Sequence, residues 1–173
     1  FIQSFFNLNA DFRYESSCLG DETLFFENCS QDPDSVFWEF GDIAAGTANY
    51  STLLNPVHIF TSTGFFNVTL RAYFEGYTDS ISKIVVIHEK PQVDLGNDTA
   101  FCQGESFILD AGAGYATYLW NNDDTTQIIN IDTAGTYWVE VSNEYGCKNG
   151  DTIELSFHPI GYSTIDTIIC QGE

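Results

Sequence analysis

The sequence predicts an all-β protein made of tandem antiparallel β-sandwiches. Three observations lead there. Apolar residues alternate with period two in many short stretches bounded by Gly, Asn, Asp and Pro, and amphipathic helical periodicity is missing. A cysteine-anchored motif returns at intervals that suit small sandwich modules. Hydrophobic residues are 43% and aromatics 16% of the 173, enough for packed cores, while charged residues are only 17%. The solvent-facing positions are therefore filled by Asn, Thr, Ser, Gly and Asp, a palette suited to extracellular β surfaces.

The repeat fixes the order of the elements. Asp98-Thr-Ala-Phe-Cys102-Gln-Gly-Glu105 returns as Asp166-Thr-Ile-Ile-Cys170-Gln-Gly-Glu173. The shift that carries Cys102 to Cys170 also carries Pro91 to Pro159, so each proline precedes its cysteine by the same stretch of chain. A looser copy, Cys18-Leu-Gly-Asp-Glu22, lies upstream at a somewhat wider interval. Three modules follow: residues 1–90, residues 91–158, and residues 159–173 as a linker and the start of a third repeat. Strands are expected over 10–15, 23–28, 35–41, 57–60, 65–74 and 81–88 in the first module. In the second they are expected over 106–111, 116–121, 127–131, 136–142 and 152–157. Gly64-Phe-Phe66-Asn-Val68-Thr-Leu70 parallels Gly135-Thr-Tyr137-Trp-Val139-Glu-Val141, each a half-buried strand entered from a Gly turn. Phe37-Trp38 parallels Leu119-Trp120, so both tryptophans belong to cores. Lys90-Pro91 and His158-Pro159 are the joints, and proline restricts each of them to a short, stiff connection.

The first module carries Trp38-Glu-Phe-Gly-Asp42, then Asn55-Pro-Val-His-Ile-Phe60, then Gly64-Phe-Phe-Asn-Val-Thr-Leu70. Three motifs in this order resemble a PKD domain, with Ile43 where that family has a second Gly and Phe60 and Phe66 where it has Tyr. The second module carries Val93-Asp-Leu-Gly-Asn-Asp98, Cys102-x-Gly, Tyr118-Leu-Trp120, Ala134-Gly-Thr-Tyr137 and Gly146-Cys147. It resembles the Ig-like repeats that accompany PKD domains in large Bacteroidota cell-surface proteins, adhesins and gliding-associated proteins among them. The resemblance implies Ig-like sandwiches, export by type IX secretion, an extracellular or cell-surface location, and a role in spacing or adhesion. It also implies O-glycosylation after Asp, for which Ser35, Ser80, Thr99, Thr125, Thr133, Thr152 and Thr167 have the fitting neighbours.

Charge narrows the partners. Acidic residues number 25 and basic residues 5, giving a net charge of −20. Arg13, Arg71, Lys83, Lys90 and Lys148 are scattered singly, so nucleic acid and anionic membranes are not expected partners. No apolar run approaches the ~20 residues of a spanning helix. The chain has no Met and no leader, and reads as a piece of something longer. Its expected partners are neighbouring repeats, glycans or surface proteins, and the secretion machinery.

No catalytic signature is present. The histidines are His58, His88 and His158, and H-E-x-x-H, C-x-x-C and G-x-S-x-G do not occur. No enzymatic activity is expected. An accessory or carbohydrate-binding module of an exported hydrolase or protease is the alternative to a surface spacer. Five cysteines in an exported chain imply disulfides. Cys102 and Cys147 are expected to pair, closing a loop worth about 3–4 kcal/mol. Cys18 and Cys29 flank an expected strand and pair only if a bulge or turn brings them together. Cys170 is expected to pair in a continuation. No organic cofactor is expected. Ca²⁺ is weighed against plain turn chemistry at Asp94, Asn97 and Asp98, and at the run from Asn121 to Asp124. Trp138 alternates out of phase with Tyr137, Val139 and Val141, so it points outward, and cover by a neighbouring loop or module is weighed against a role as a ligand contact.

Overall fold

The computed structural model describes residues 9–15, 17–20, 24–102 and 104–158. The chain divides into two compact units, Phe1–Glu89 and Lys90–Glu173. The expected start of a third repeat at residues 159–173 lies outside the described residues, as do Cys170 and Thr167.

Unit one contains β1 (Phe12–Tyr14), β2 (Ser17–Cys18), β3 (Leu24–Asn28), β4 (Ser35–Glu39), β5 (Tyr50–Ser51), β6 (Val57–His58), β7 (Gly64–Phe74) and β8 (Tyr77–His88). They form a three-stranded sheet, β1-β3-β6, and a five-stranded sheet, β2-β8-β7-β4-β5. Every second residue of β7 from Phe66 to Phe74 is buried, which is what a strand with one face on a core requires. Phe12, Phe26, Trp38, Phe40, Val68, Leu70 and Val85 meet between the sheets. The core is an aromatic one: Trp38 packs edge-on against Phe12 at 5.2 Å and lies near Phe26 at 5.7 Å. Its indole N–H donates to the Leu53 carbonyl at 3.0 Å, so the one polar atom of the ring is satisfied. A two-residue turn, Glu75-Gly76, joins β7 to β8, with Gly76 at φ +73°.

Unit two contains β9 (Thr99–Cys102), β10 (Phe107–Asp110), β11 (Thr117–Trp120), β12 (Ile128–Ile131), β13 (Gly135–Ser142) and β14 (Lys148–His158). The sheets are β10-β12 and β11-β13-β14-β9. Leu109, Trp120, Ile129, Val139, Val141, Ile153 and Leu155 make a separate core. Trp120 repeats the solution of Trp38: it is fully buried and its N–H donates to the Thr126 carbonyl at 2.8 Å.

The two units share one plan. The order β11-β13-β14-β9 matches β4-β7-β8-β2, and β10-β12 matches β3-β6. This two-sheet arrangement, with the hairpin of the last two strands in the larger sheet, is an immunoglobulin-like sandwich. Most pairings are antiparallel, but each unit adds one parallel pair at a sheet edge: β2 on β8 and β9 on β14. In both, the cysteine of the Cys-x-Gly motif stands beside the histidine ending the last strand, Cys18 opposite His88 and Cys102 opposite His158. Period-two reading misses these short edge strands, because two to four residues are too few to show alternation. It also misses the 3-10 segment Ile43–Asn49, interrupted at Gly46 (φ +60°), which fills the turn after Asp42.

Candidate binding surface

The motif residues of unit one converge on a buried polar cluster. Asp42 and His58 are each almost wholly buried, at 2% and 4% exposure. One Asp42 carboxylate oxygen accepts from the Thr61 N–H at 2.8 Å and lies 3.3 Å from His58 Nε2; the other accepts from the Thr61 hydroxyl at 2.6 Å. The Asp42 N–H donates to Asn49 Oδ1 at 2.7 Å, which closes the 3-10 segment. His58 stacks on Phe40 at 4.2 Å and meets Phe60 edge-on at 4.6 Å. Burial pushes the Asp42 carboxyl up, but the hydrogen bonds from Thr61 and His58 together outweigh it and hold the group below its ordinary value. Burial lowers His58 more than Asp42 raises it, so the ring stays neutral near pH 7. Every polar contact of this cluster is with the fold itself. It pins the loop from 42 to 49 onto the strand β6, and it offers no open face for a substrate.

The cysteines depart from expectation. Cys18, Cys102 and Cys147 are disulfide-bonded, whereas Cys29 is an exposed free thiol. The Cys18–Cys29 bridge therefore does not form. Nor are Cys102 and Cys147 partners. Cys102 lies opposite His158, at the far end of β14, while Cys147 immediately precedes Lys148 at its start. Ten residues of extended chain separate the two ends, roughly 33 Å at ~3.3 Å per residue. A disulfide requires Cα atoms within ~7 Å. The expected strands of this unit begin at residue 106 and leave Cys102 just ahead of the sheet, whereas Cys102 ends an edge strand parallel to β14.

The cation candidates are occupied with backbone. Asp94 Oδ1 accepts from the Gly96 N–H, and Asp98 Oδ1 accepts from the Glu154 N–H, both at 2.8 Å. Asn97 is exposed between them. Asn122 and Asp124 cap the Asp124 and Thr126 N–H groups, and the Asn121 amide donates to the Thr136 carbonyl. Among the described residues, no group of three or more His, Cys, Asp or Glu side chains is placed to hold a metal ion. Ser35, Ser80, Thr99, Thr125, Thr133 and Thr152 are all exposed.

Trp138 lies on the outer face of the larger sheet of unit two, 41% exposed. Thr152 faces it across the β13–β14 pair, and Gly150 faces Glu140. Lys148 reaches Glu140, Nζ to Oε1 at 2.7 Å. Together these residues border an open cleft of about 340 Å³. Sequence alternation locates Trp138, but it gives no sign of Gly150, whose importance comes from register.

No family model matches the chain, and no curated protein matches it. Among solved structures it is similar to the I67–I69 I-band fragment of titin, with 16% identity and a TM-score of 0.39 over 86% of this chain and 64% of that one. It is similar to fibronectin(III)-like modules of CbhA from Clostridium thermocellum, with 11% identity and a TM-score of 0.42 over 91% of this chain and 100% of that one. It is also similar to extracellular domains 3–5 of Drosophila OTK, with 15% identity and a TM-score of 0.42 over 87% of this chain and 62% of that one. The chain thus spans less than two thirds of the titin and OTK fragments.

Proposed function

We propose that this chain is a non-catalytic repeat segment of an exported surface protein, acting as a spacer that bears load and displays a surface. The observation that carries the reading is the use made of buried polar chemistry. Among the described residues, the buried ionisable groups are Asp42 and His58, and both are consumed in holding a loop to a strand. Two separate Ig-like cores and disulfide-bonded cysteines fit an oxidising, extracellular setting. The sequence resemblance to PKD and Ig-like repeats supports a Bacteroidota adhesin or gliding-associated parent exported by type IX secretion. Neighbouring repeats of that parent and the secretion machinery are its partners in this reading.

Single-molecule pulling tests it. With its disulfides reduced, the chain is expected to lengthen in two discrete unfolding events, because each sandwich resists force through its own long strand pairs. Smooth extension without such events would contradict a load-bearing role. The Trp138 cleft favours a second reading, an accessory module of an exported hydrolase. A catalytic domain elsewhere in the parent chain would favour that reading over the spacer.

A further inference from the structure

We propose that unit two binds an uncharged saccharide in the cleft beside Trp138, a function that does not depend on the spacer role. The indole stands on a sheet face rather than in a core, while Trp38 and Trp120 are fully buried. Beside it, Gly150 leaves a floor of bare backbone. No other residue fits there undisturbed, since a Cβ on Gly150 would lie 2.7 Å from the Val139 carbonyl oxygen. Lys148 and Thr152 flank this floor along β14, and Glu140 faces it from β13. The cleft, at about 340 Å³, is at the small end of the ~300–1,000 Å³ usual for ligand sites, a size suited to a short oligosaccharide.

The chemistry around the indole selects the ligand class. A protein-binding hot spot sets its tryptophan among other apolar groups that exclude water. Here the outer-face neighbours along β13 and across β14 are Thr136, Glu140, Gly150, Thr152 and Glu154, all polar or bare, and β11 adds a single apolar side chain, Leu119, opposite Glu140. An aromatic plane ringed by hydroxyl, carboxylate and ammonium groups matches a sugar ring, which has apolar C–H faces and a polar edge. The plane takes the C–H face, and Thr152 Oγ1, the Glu140 carboxylate and Lys148 Nζ reach the hydroxyls. Lys148 is already paired with Glu140, and the chain carries a net charge of −20, so an acidic sugar meets repulsion without a free cation in the cleft.

The test titrates the intact chain with neutral gluco-, manno-, galacto- and xylo-oligosaccharides, and with sialylated and uronic-acid oligosaccharides, reading tryptophan emission and calorimetry. At least one neutral saccharide is expected to bind and to shift the emission to the blue, a signal that belongs to Trp138 because the other two indoles are buried. Trp138→Ala is expected to weaken that binding roughly tenfold or more. Thr152→Val is expected to weaken it several-fold and to leave the melting temperature within a degree or two of wild type. The proposal is overturned if no neutral saccharide binds at millimolar concentration, if acidic ones bind better, or if a folded Trp138→Ala binds as wild type does.

Discussion

At the scale of single residues, Asp42 shows how a motif is built and why its role is hidden in sequence. The run Trp38-Glu-Phe-Gly-Asp42 is easily seen, but nothing in it says that the carboxylate will be met further along the chain by both polar groups of Thr61. Asp42→Ala leaves the Thr61 N–H, its hydroxyl and His58 without their buried acceptor. Unit one should lose about 2–4 kcal/mol, measured by denaturant unfolding followed at Trp38. The same cluster sets a pH dependence. Asp42 and His58 both sit below their ordinary values when folded. The unfolded chain therefore takes up protons before the folded one does. The stability from His58 is present above its unfolded value near 6.5 and is lost as pH falls through the lower folded value. Asp42 adds a second loss further down, below about pH 4. Unit one is expected to melt at a lower temperature at pH 4 than at pH 7.5, and Asp42→Ala should remove the further loss below about pH 4. Gly41 is the residue most constrained by its surroundings in this motif. It has φ +74°, and a Cβ there would lie 2.8 Å from the Asn67 carbonyl oxygen. Gly41→Ala should therefore destabilise unit one by at least ~1 kcal/mol, seen as a fall in its melting temperature.

Strands and edges explain which expectations held. Long strands with one buried face, such as β7 and β13, announce themselves by alternation, and the sequence places both to within a residue. The edge strands β2 and β9 do not, because they are short and their pairing partners, β8 and β14, lie at the other end of the same unit's sequence. Since β9 carries Cys102, missing it misplaces the cysteine and its bond. Peptide mapping without reductant should recover Cys102 and Cys147 in different disulfide-linked peptides. A single peptide pair joining the two would refute the register of β9 on β14. Iodoacetamide applied to the native chain should label Cys29 and leave Cys18, Cys102 and Cys147 unlabelled until reductant is added. The cleft was legible only in part for a similar reason. Trp138 can be read outward from its own strand, but Gly150 becomes meaningful only once β14 is set against Glu140.

For the whole molecule, the central claim is that two self-contained sandwiches follow one another, each with its own tryptophan-centred core. The sequence repeat carries most of this: the recurrence of Cys-x-Gly, the Trp strand and the Gly-entered strand maps onto equivalent sheet positions in both units. The most direct measurement is amide hydrogen exchange on the Asp42→Ala chain. Protection should fall across β4, β7 and β8 while β11, β13 and β14 keep theirs. An equal loss of protection in both units would show one cooperative core and contradict the account.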